Sequence, residues 1–262
     1  MQKCPSYKSG FFSAENGGTP HHRSLWEALI GHWPMYLGPV GGILPDHGGG
    51  GHTGVFYSPM SHDSWTTYKG EPAIKFSSAD FTGRVQIPTS FKMGGLTELS
   101  CHYRFNEVSN PGAMRSLIRK DLQVTLAQFD TSELRCVFWA PSLAANGNQS
   151  YSYDTWNNVV ITWKNFSIEI WLNGAKVQTV LNGSAGLAAD NDSYPLVFGG
   201  TESGNELFDG YMQTVTIWQR KLSDNEVHLL SRNPYAVSER TRKRYFRSAV
   251  TGRRRRVLLT GS

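Results

Sequence analysis

The sequence predicts an all-β protein, a two-sheet antiparallel sandwich with two short helices and extended terminal arms, and three observations predict it. Apolar residues recur with a period of two: Leu99, Cys101, Tyr103 and Phe105 alternate with Ser100, His102 and Arg104, as in a strand with one face buried. Such runs are separated by turn residues, most plainly at Asn173-Gly174, because both central residues of a type I′ hairpin turn need positive φ. The composition agrees: of 262 residues, 27 are Gly and eight are Trp while only 18% are charged, which suits short strands and tight turns better than helix bundles. The length fits one sandwich plus extensions.

Taken in order, residues 1–23 hold Pro5, Gly10, Gly17, Gly18 and Pro20 with no apolar period, and predict an extended arm. Ser24-Leu25-Trp26-Glu27 is a capping-box pattern that predicts a short helix through Ile30. Residues 38–54 form a glycine loop; no Lys-Ser or Lys-Thr pair follows Gly48 to Gly51, so it is not a phosphate loop. Strands are predicted over 54–58, 73–77, 84–88, 96–105, 114–119, 122–129 and 134–139, followed by a polar loop over 144–154. Val159, Ile161 and Trp163 then share one face of a strand, Asn165 makes a tight link, and Phe166, Ile168, Ile170 and Leu172 share one face of the next. Asn173-Gly174 turns the chain into 175–181, and strands over 195–199 and 211–218 close the series. Ser223-Asp224-Asn225-Glu226 is a second capping box, opening a helix that Pro234 ends. The sandwich with its leader therefore spans 24–234, and a basic arm covers 235–262.

Several stretches resemble the laminin-G-like jelly-roll family, akin to concanavalin A-type lectins. They are Ala73-Ile74-Lys75-Phe76 with Val85-Gln86-Ile87-Pro88, then Trp156 to Thr162 with Ile170-Trp171-Leu172-Asn173-Gly174, then Phe198-Gly199-Gly200, Phe208-Asp209-Gly210-Tyr211 and Val215 to Ser223 with Glu226. The resemblance covers roughly residues 55 to 232 and implies a jelly-roll sandwich. Some members bind calcium at the sandwich rim through acidic residues. This chain departs from the family pattern, with Gln213 and Thr214 where two acids usually stand and Asn157 and Asn158 where histidines do. The leader (Leu25 to Gly31, Leu37 to Gly42, Asp46 to Gly54) and the arginine-rich end are similar to jelly-roll proteins of tailed bacteriophages, which implies a virion component such as a capsid decoration protein.

The residues that carry chemistry elsewhere are sparse. A retaining glycosidase needs two carboxylates about 5 Å apart. Glu169 is a single acid on its strand, and no G-x-S-x-G elbow exists, so no catalytic residues and no enzyme activity are expected. His21, His22, His47, His52 and His62 lie in Gly-rich loops without the ligand count of a metal site, so no metal is assigned. Asp190-Asn191-Asp192 offers oxygen ligands of the kind calcium takes and reads equally as a plain turn; no other cofactor is expected. Trp163 and Trp171 are sugar-stacking or core residues. Cys4, Cys101 and Cys136 make neither a disulfide framework nor a zinc pattern and predict free, buried thiols, consistent with assembly in the host cytoplasm. No secretory h-region and no apolar run of spanning length is present, so no membrane partner is expected.

Charge divides the chain. Residues 239–262 hold nine basic residues against Glu239, a net of +8, whereas residues 1–238 hold 17 basic and 20 acidic ones, a net of −3. Arg240, Arg242, Lys243, Arg244, Arg247, Arg253, Arg254, Arg255 and Arg256 are the expected anchoring residues, their guanidinium forks matching carboxylates. Val257, Leu258 and Leu259 add an apolar tip. Only Tyr245 and Phe246 interleave with these charges, so nucleic acid ranks behind protein as the partner. The expectation is a non-enzymatic virion structural protein, anchored to neighbouring subunits such as the major capsid protein, with a second copy of the chain or a host surface glycan as further partners. A carbohydrate-binding adhesion module is the alternative; its glycan-binding residues are not legible in the sequence.

Overall fold

The computed structural model describes residues 22–40, 42–57, 64–77, 83–108, 114–121, 124–128, 133–139, 144–165, 167–181 and 193–239. All of the predicted anchoring residues from Arg240 to Leu259 lie outside the described residues, as do the loop at Asp190 and Cys4. Among the described residues, sixteen strands form two antiparallel sheets. In sheet I the order is β14 (Ala175–Leu181), β13 (Ser167–Leu172), β12 (Asn157–Lys164), β7 (Glu98–Glu107), β16 (Gly210–Trp218), β5 (Glu71–Phe76) and β4 (Trp65–Tyr68), with β1 (Leu29–Trp33) also paired to β16. In sheet II it is β11 (Ala144–Ser150), β10 (Glu133–Trp139), β9 (Val124–Gln128), β8 (Arg115–Lys120), β15 (Leu196–Phe198), β6 (Arg84–Ile87), β3 (Gly54–Tyr57) and β2 (Ile43–Leu44). This is the predicted two-sheet sandwich.

The period-two pattern explains the core. Leu99, Cys101, Tyr103, Phe105, Val159, Ile161 and Trp163 point inward from sheet I and meet Val85, Ile87, Leu134, Cys136, Leu196 and Phe198 from sheet II. Cys101 and Cys136 are free and buried, and burial pushes both thiols up. The hairpin turns as predicted, with Asn173 at φ 51 and Gly174 at φ 87, both left-handed. The alternate residues of sheet I form a second apolar layer. Val160, Trp171 and Trp218 pack outward against Leu25, Leu222, Val227 and Leu230. The helix α1 (Asp224–Arg232) supplies two of these, and its capping box is complete. Ser223 Oγ accepts from the Glu226 N–H, and the Glu226 carboxylate accepts from the Ser223 N–H at 2.9 Å.

Four regions depart from the sequence reading. The leader helix is absent: Arg23–Trp26 make a 3-10 turn, Ala28 turns left-handed at φ 55, and the chain then extends as β1. The reason is tertiary. β5 pairs only with Gly210 to Met212 of β16, and β1 hydrogen-bonds the stretch from Val215 to Trp218. Buried backbone groups demand partners, and this demand outweighs a local capping pattern. The polar loop over 144–154 is in part β11, paired along its length from Glu133↔Ser150 to Trp139↔Ala144. Its pairing uses backbone groups alone, so no apolar alternation announces it. The strand β4 lies in a stretch left unassigned. Finally, the packed body runs past residue 234, because Ala236 and Val237 are fully buried against the outer layer.

Candidate functional site

The outer face of sheet II carries the candidate site, and alternation decides which residues reach it. Val85, Ile87, Leu196 and Phe198 point into the core, so Gln86 and Val197 between them point out. Register then sets Arg119, Val197, Gln86, Val55 and Ile43 in one row across β8, β15, β6, β3 and β2. In the next paired position the Arg84 guanidinium lies 4.6 Å from the Tyr57 ring centroid, a cation–π contact. Val55 is 46% exposed, Tyr57 42% and Ile43 40%. These three form a small exposed apolar patch on the β2–β3 edge of the sheet.

At the other end of the row, a loop builds a cleft. Gly199 opens it at φ +81, and a Cβ there would lie 2.2 Å from the Phe76 ring, so no other residue fits. The loop braces itself. The Thr201 N–H donates to Asn205 O at 3.0 Å, and the Asn205 N–H returns to Thr201 Oγ1 at 2.9 Å. It ends on Glu206, held left-handed at φ 51, a conformation costing about 1 kcal/mol for a residue with a Cβ. The Glu206 side chain is fixed in return: Ser116 Oγ donates to its carboxylate at 2.6 Å and Arg119 Nη1 at 3.0 Å. Arg119 Nε also bonds Asp121. Burial works against the Arg119 charge, but the two carboxylates outweigh it and hold the guanidinium above its ordinary pKa. Lys120, fully buried, donates to Tyr194 O at 2.8 Å and fixes the adjoining wall. The result is an open cleft of about 470 Å³ lined by Arg119, Asp121, Tyr194 and the 201–206 loop.

The cleft offers charged and amide hydrogen-bonding groups side by side. Of its three acids, Asp121 and Glu206 are both engaged by one guanidinium, and Glu202 is the third. Elsewhere Glu169 is buried between Lys221 at 2.9 Å and Lys176 at 3.1 Å. Burial pushes its carboxyl up, but those two lysines prevail and hold it below the usual range. A carboxylate so held is unsuited to the general-acid role of glycoside hydrolysis.

The remaining sequence candidates take structural roles. Trp163 is in the main core and Trp171 lies in the outer layer, at 1% and 3% exposure, so neither offers a face to a sugar. Asp46 accepts from the backbone N–H groups of His32, Gly48 and His52, organising the glycine loop. Gln213 bonds Glu71, and Asn158 bridges His102 to Leu230 O on α1. Arg119, Glu206 and Tyr57 were not singled out from the sequence. The one local signal for the cleft was Gly199-Gly200 followed by the polar run 201–206.

A family model described as the concanavalin A-like lectin/glucanases superfamily (Laminin_G_3) matches residues 81–228, more than half of the chain. The chain belongs to this superfamily. Solved structures with the same fold include the binding domain of Paraclostridial Mosquitocidal Protein 1, at TM-score 0.64 and 15% identity over 80% of this chain and 53% of that one. Domain 4 of the extracellular arabinanase AbnA from Geobacillus stearothermophilus, solved with arabinotriose, aligns at TM-score 0.61 and 12% identity over 78% of this chain and 98% of that one. A botulinum neurotoxin type C structure, whose cell entry depends on two ganglioside molecules, aligns at 0.61 and 13% identity over 80% and 52%. Among curated proteins, Adhesion G-protein coupled receptor V1 of Danio rerio is 28% identical over 81 residues, 31% of this chain and 1% of the receptor. The chain thus spans a small fraction of that relative and about half of the toxin structures. At these identities the structural likenesses establish the superfamily fold and nothing finer.

Proposed function

We propose that this superfamily member is a non-catalytic carbohydrate-binding module, and that the cleft at Arg119 and Glu206 takes a hydroxyl-rich glycan. The observation that carries the reading is Glu206: a left-handed residue whose carboxylate is pinned by Ser116 and Arg119 at the edge of an open polar cleft. Strained residues over-determined by their surroundings concentrate at binding sites. Carboxylate and guanidinium groups fixed in advance accept and donate to sugar hydroxyls at small entropic cost. Tyr57, along the same face, supplies a ring for stacking. Support comes from structures of the same fold: an arabinanase domain solved in complex with arabinotriose, and a botulinum neurotoxin whose cell entry depends on two ganglioside molecules. A glycan array followed by calorimetry tests it. Wild type should bind at least one glycan saturably, and Glu206→Gln and Arg119→Ala should each weaken it roughly tenfold or more. Retained affinity in both variants would place the site elsewhere, and no binding to any glycan would end the reading.

A second reading sets the same module on a virus particle. The observation favouring it is the run of nine basic residues over 240–262 without an acid. Replacing those nine by Gln in the full chain should abolish incorporation into particles, and normal incorporation would refute it.

A further inference from the structure

We infer a second binding site, on the outer face of sheet I, for a six-membered ring that carries more than one hydroxyl group, and that the chain's own Tyr68 fills this site when no ligand does. The site shares no residue with the cleft and does not depend on it.

Strand pairing builds the site. Phe105 and Met212 point into the core, so Asn106 and Tyr211 beside them point outward, and these two are paired across β7 and β16. Asn157 pairs with Phe105 from the other side, which brings Trp156, the residue before it, to the Asn106 end of the row. The Arg104 guanidinium packs 4.9 Å from the Trp156 ring centroid. Asp154 is held left-handed at φ 52, and its N–H donates to Glu107 O at 2.7 Å, which fixes its carboxylate at the same edge.

Tyr68 reaches this row from the end of β4, at the left-handed turn Lys69-Gly70. Its ring lies on the Tyr211 ring, with centroids 3.8 Å apart and planes 12° apart, and stands edge-on to Trp156 at 6.4 Å. Its hydroxyl donates to Asp154 Oδ1 at 2.5 Å. That bond pushes the phenol up to about 12, so it remains a donor. A ring seated on a ring, with its hydroxyl on a fixed carboxylate, is the arrangement by which a protein orients a cyclic ligand: apolar surface with a few placed polar groups.

What Tyr68 leaves unsatisfied points to a fuller occupant. Asn106 is fully buried, and among the described residues neither its Nδ2 nor its Oδ1 has a hydrogen-bond partner. The buried Nε1 of Trp156 has none either. Nearly all buried polar groups are paired, so three orphan atoms in one corner mark a missing partner. A phenol has one hydroxyl, and Asp154 takes it. Further hydroxyls on a ring can accept from Asn106 Nδ2 and Trp156 Nε1 and donate to Asn106 Oδ1. Tyr68 is also displaceable. Among the described residues β4 is the edge of sheet I, paired to β5 alone. Lys69 Nζ lies 2.8 Å from Asp154 Oδ2, but the two side chains are 43% and 55% exposed, and such ion pairs hold weakly.

The test is calorimetry on the full chain carrying Tyr68→Ala, with p-cresol, toluene, 4-methylcatechol and the methyl pyranosides of glucose, galactose and mannose as probes. p-Cresol should bind saturably, about tenfold tighter than to wild type, where Tyr68 competes. It should also bind about tenfold tighter than toluene, and Asp154→Ala in the same background should remove that preference. At least one probe with several hydroxyls should bind about fivefold tighter than p-cresol. Asn106→Leu should abolish this gain and leave p-cresol binding intact, which also shows that the variant is folded. A gain for the pyranosides identifies a saccharide ligand, and a gain for 4-methylcatechol a phenolic one. Equal p-cresol binding by wild type and Tyr68→Ala, or none by either, overturns the site. p-Cresol binding as tightly as every other probe overturns the fuller occupant. Glu206→Gln should leave all these values unchanged, so loss of the cleft and loss of this site are read separately; a parallel loss overturns the independence of the two.

Discussion

The two outer faces of the sandwich began as the same kind of surface, every second residue of an antiparallel sheet, and ended differently. On sheet I the outward residues are large and apolar at one end, Val160, Trp171 and Trp218, and α1 with residues 235–239 covers them. At the other end Arg104, Glu71, Gln213 and Tyr235 close a partly buried polar network. On sheet II the outward residues are Arg119, Gln86, Arg84, Val55 and Tyr57, and Val55 and Tyr57 stay exposed. A sandwich needs only its inner faces to fold. The outer faces are free to differ, one covered by α1 and residues 235–239 and the other left open.

The largest expected effect would break the covered face alone. Trp218 is fully buried and its Nε1 donates to Leu25 O at 2.7 Å. Trp218→Ala should cost about 3–5 kcal/mol in urea unfolding, with glycan affinity of the folded fraction unchanged. A parallel loss of affinity would show that the faces are coupled.

Acid should act on the same face. The Arg104 guanidinium, with help from Tyr235 and Gln213, holds Glu71 at about 2 against an ordinary 4.5. Burial raises Glu226, but Arg220 and Ser223 prevail and also bring it to about 2. The stability these carboxylates contribute is complete above pH 4.5 and is lost as pH falls through about 2. Burial lowers His102 to about 4 from 6.5, so the unfolded chain takes up this proton first and stability begins to fall below pH 6.5. Denaturant midpoints measured from pH 7 to 2 should decline in these two windows, and His102→Gln should flatten the upper one.

Smaller effects sharpen the contrast. Glu226→Ala removes the capping box and both bonds to Arg220, and should cost about 1–2 kcal/mol by thermal unfolding. Tyr57→Ala, on the open face, should change stability by about 0.5 kcal/mol or less while lowering glycan affinity severalfold.

The inner layer was legible because burial writes itself into period-two alternation, as along Leu99 to Phe105. The Asn173-Gly174 turn and the Ser223 capping box were legible because each is a local geometry with a local residue requirement. The first capping box at Ser24 shows the limit of this logic: the same local pattern lost to the unpaired stretch of β16. The cleft was less legible still. Arg119 and Glu206 are 87 residues apart in the chain, and only the pairing of β8 with β15 brings them together.

The sequence by itself determined the sandwich class, its hairpin turns, the terminal helix and the split between a mildly acidic body and a basic arm, because each follows from periodicity, φ preference or charge counted along the chain. Only the tertiary structure decided which outer face is covered, which residues cover it and which polar residues share a cleft. Those outcomes depend on contacts between residues far apart in sequence, and no local rule encodes them.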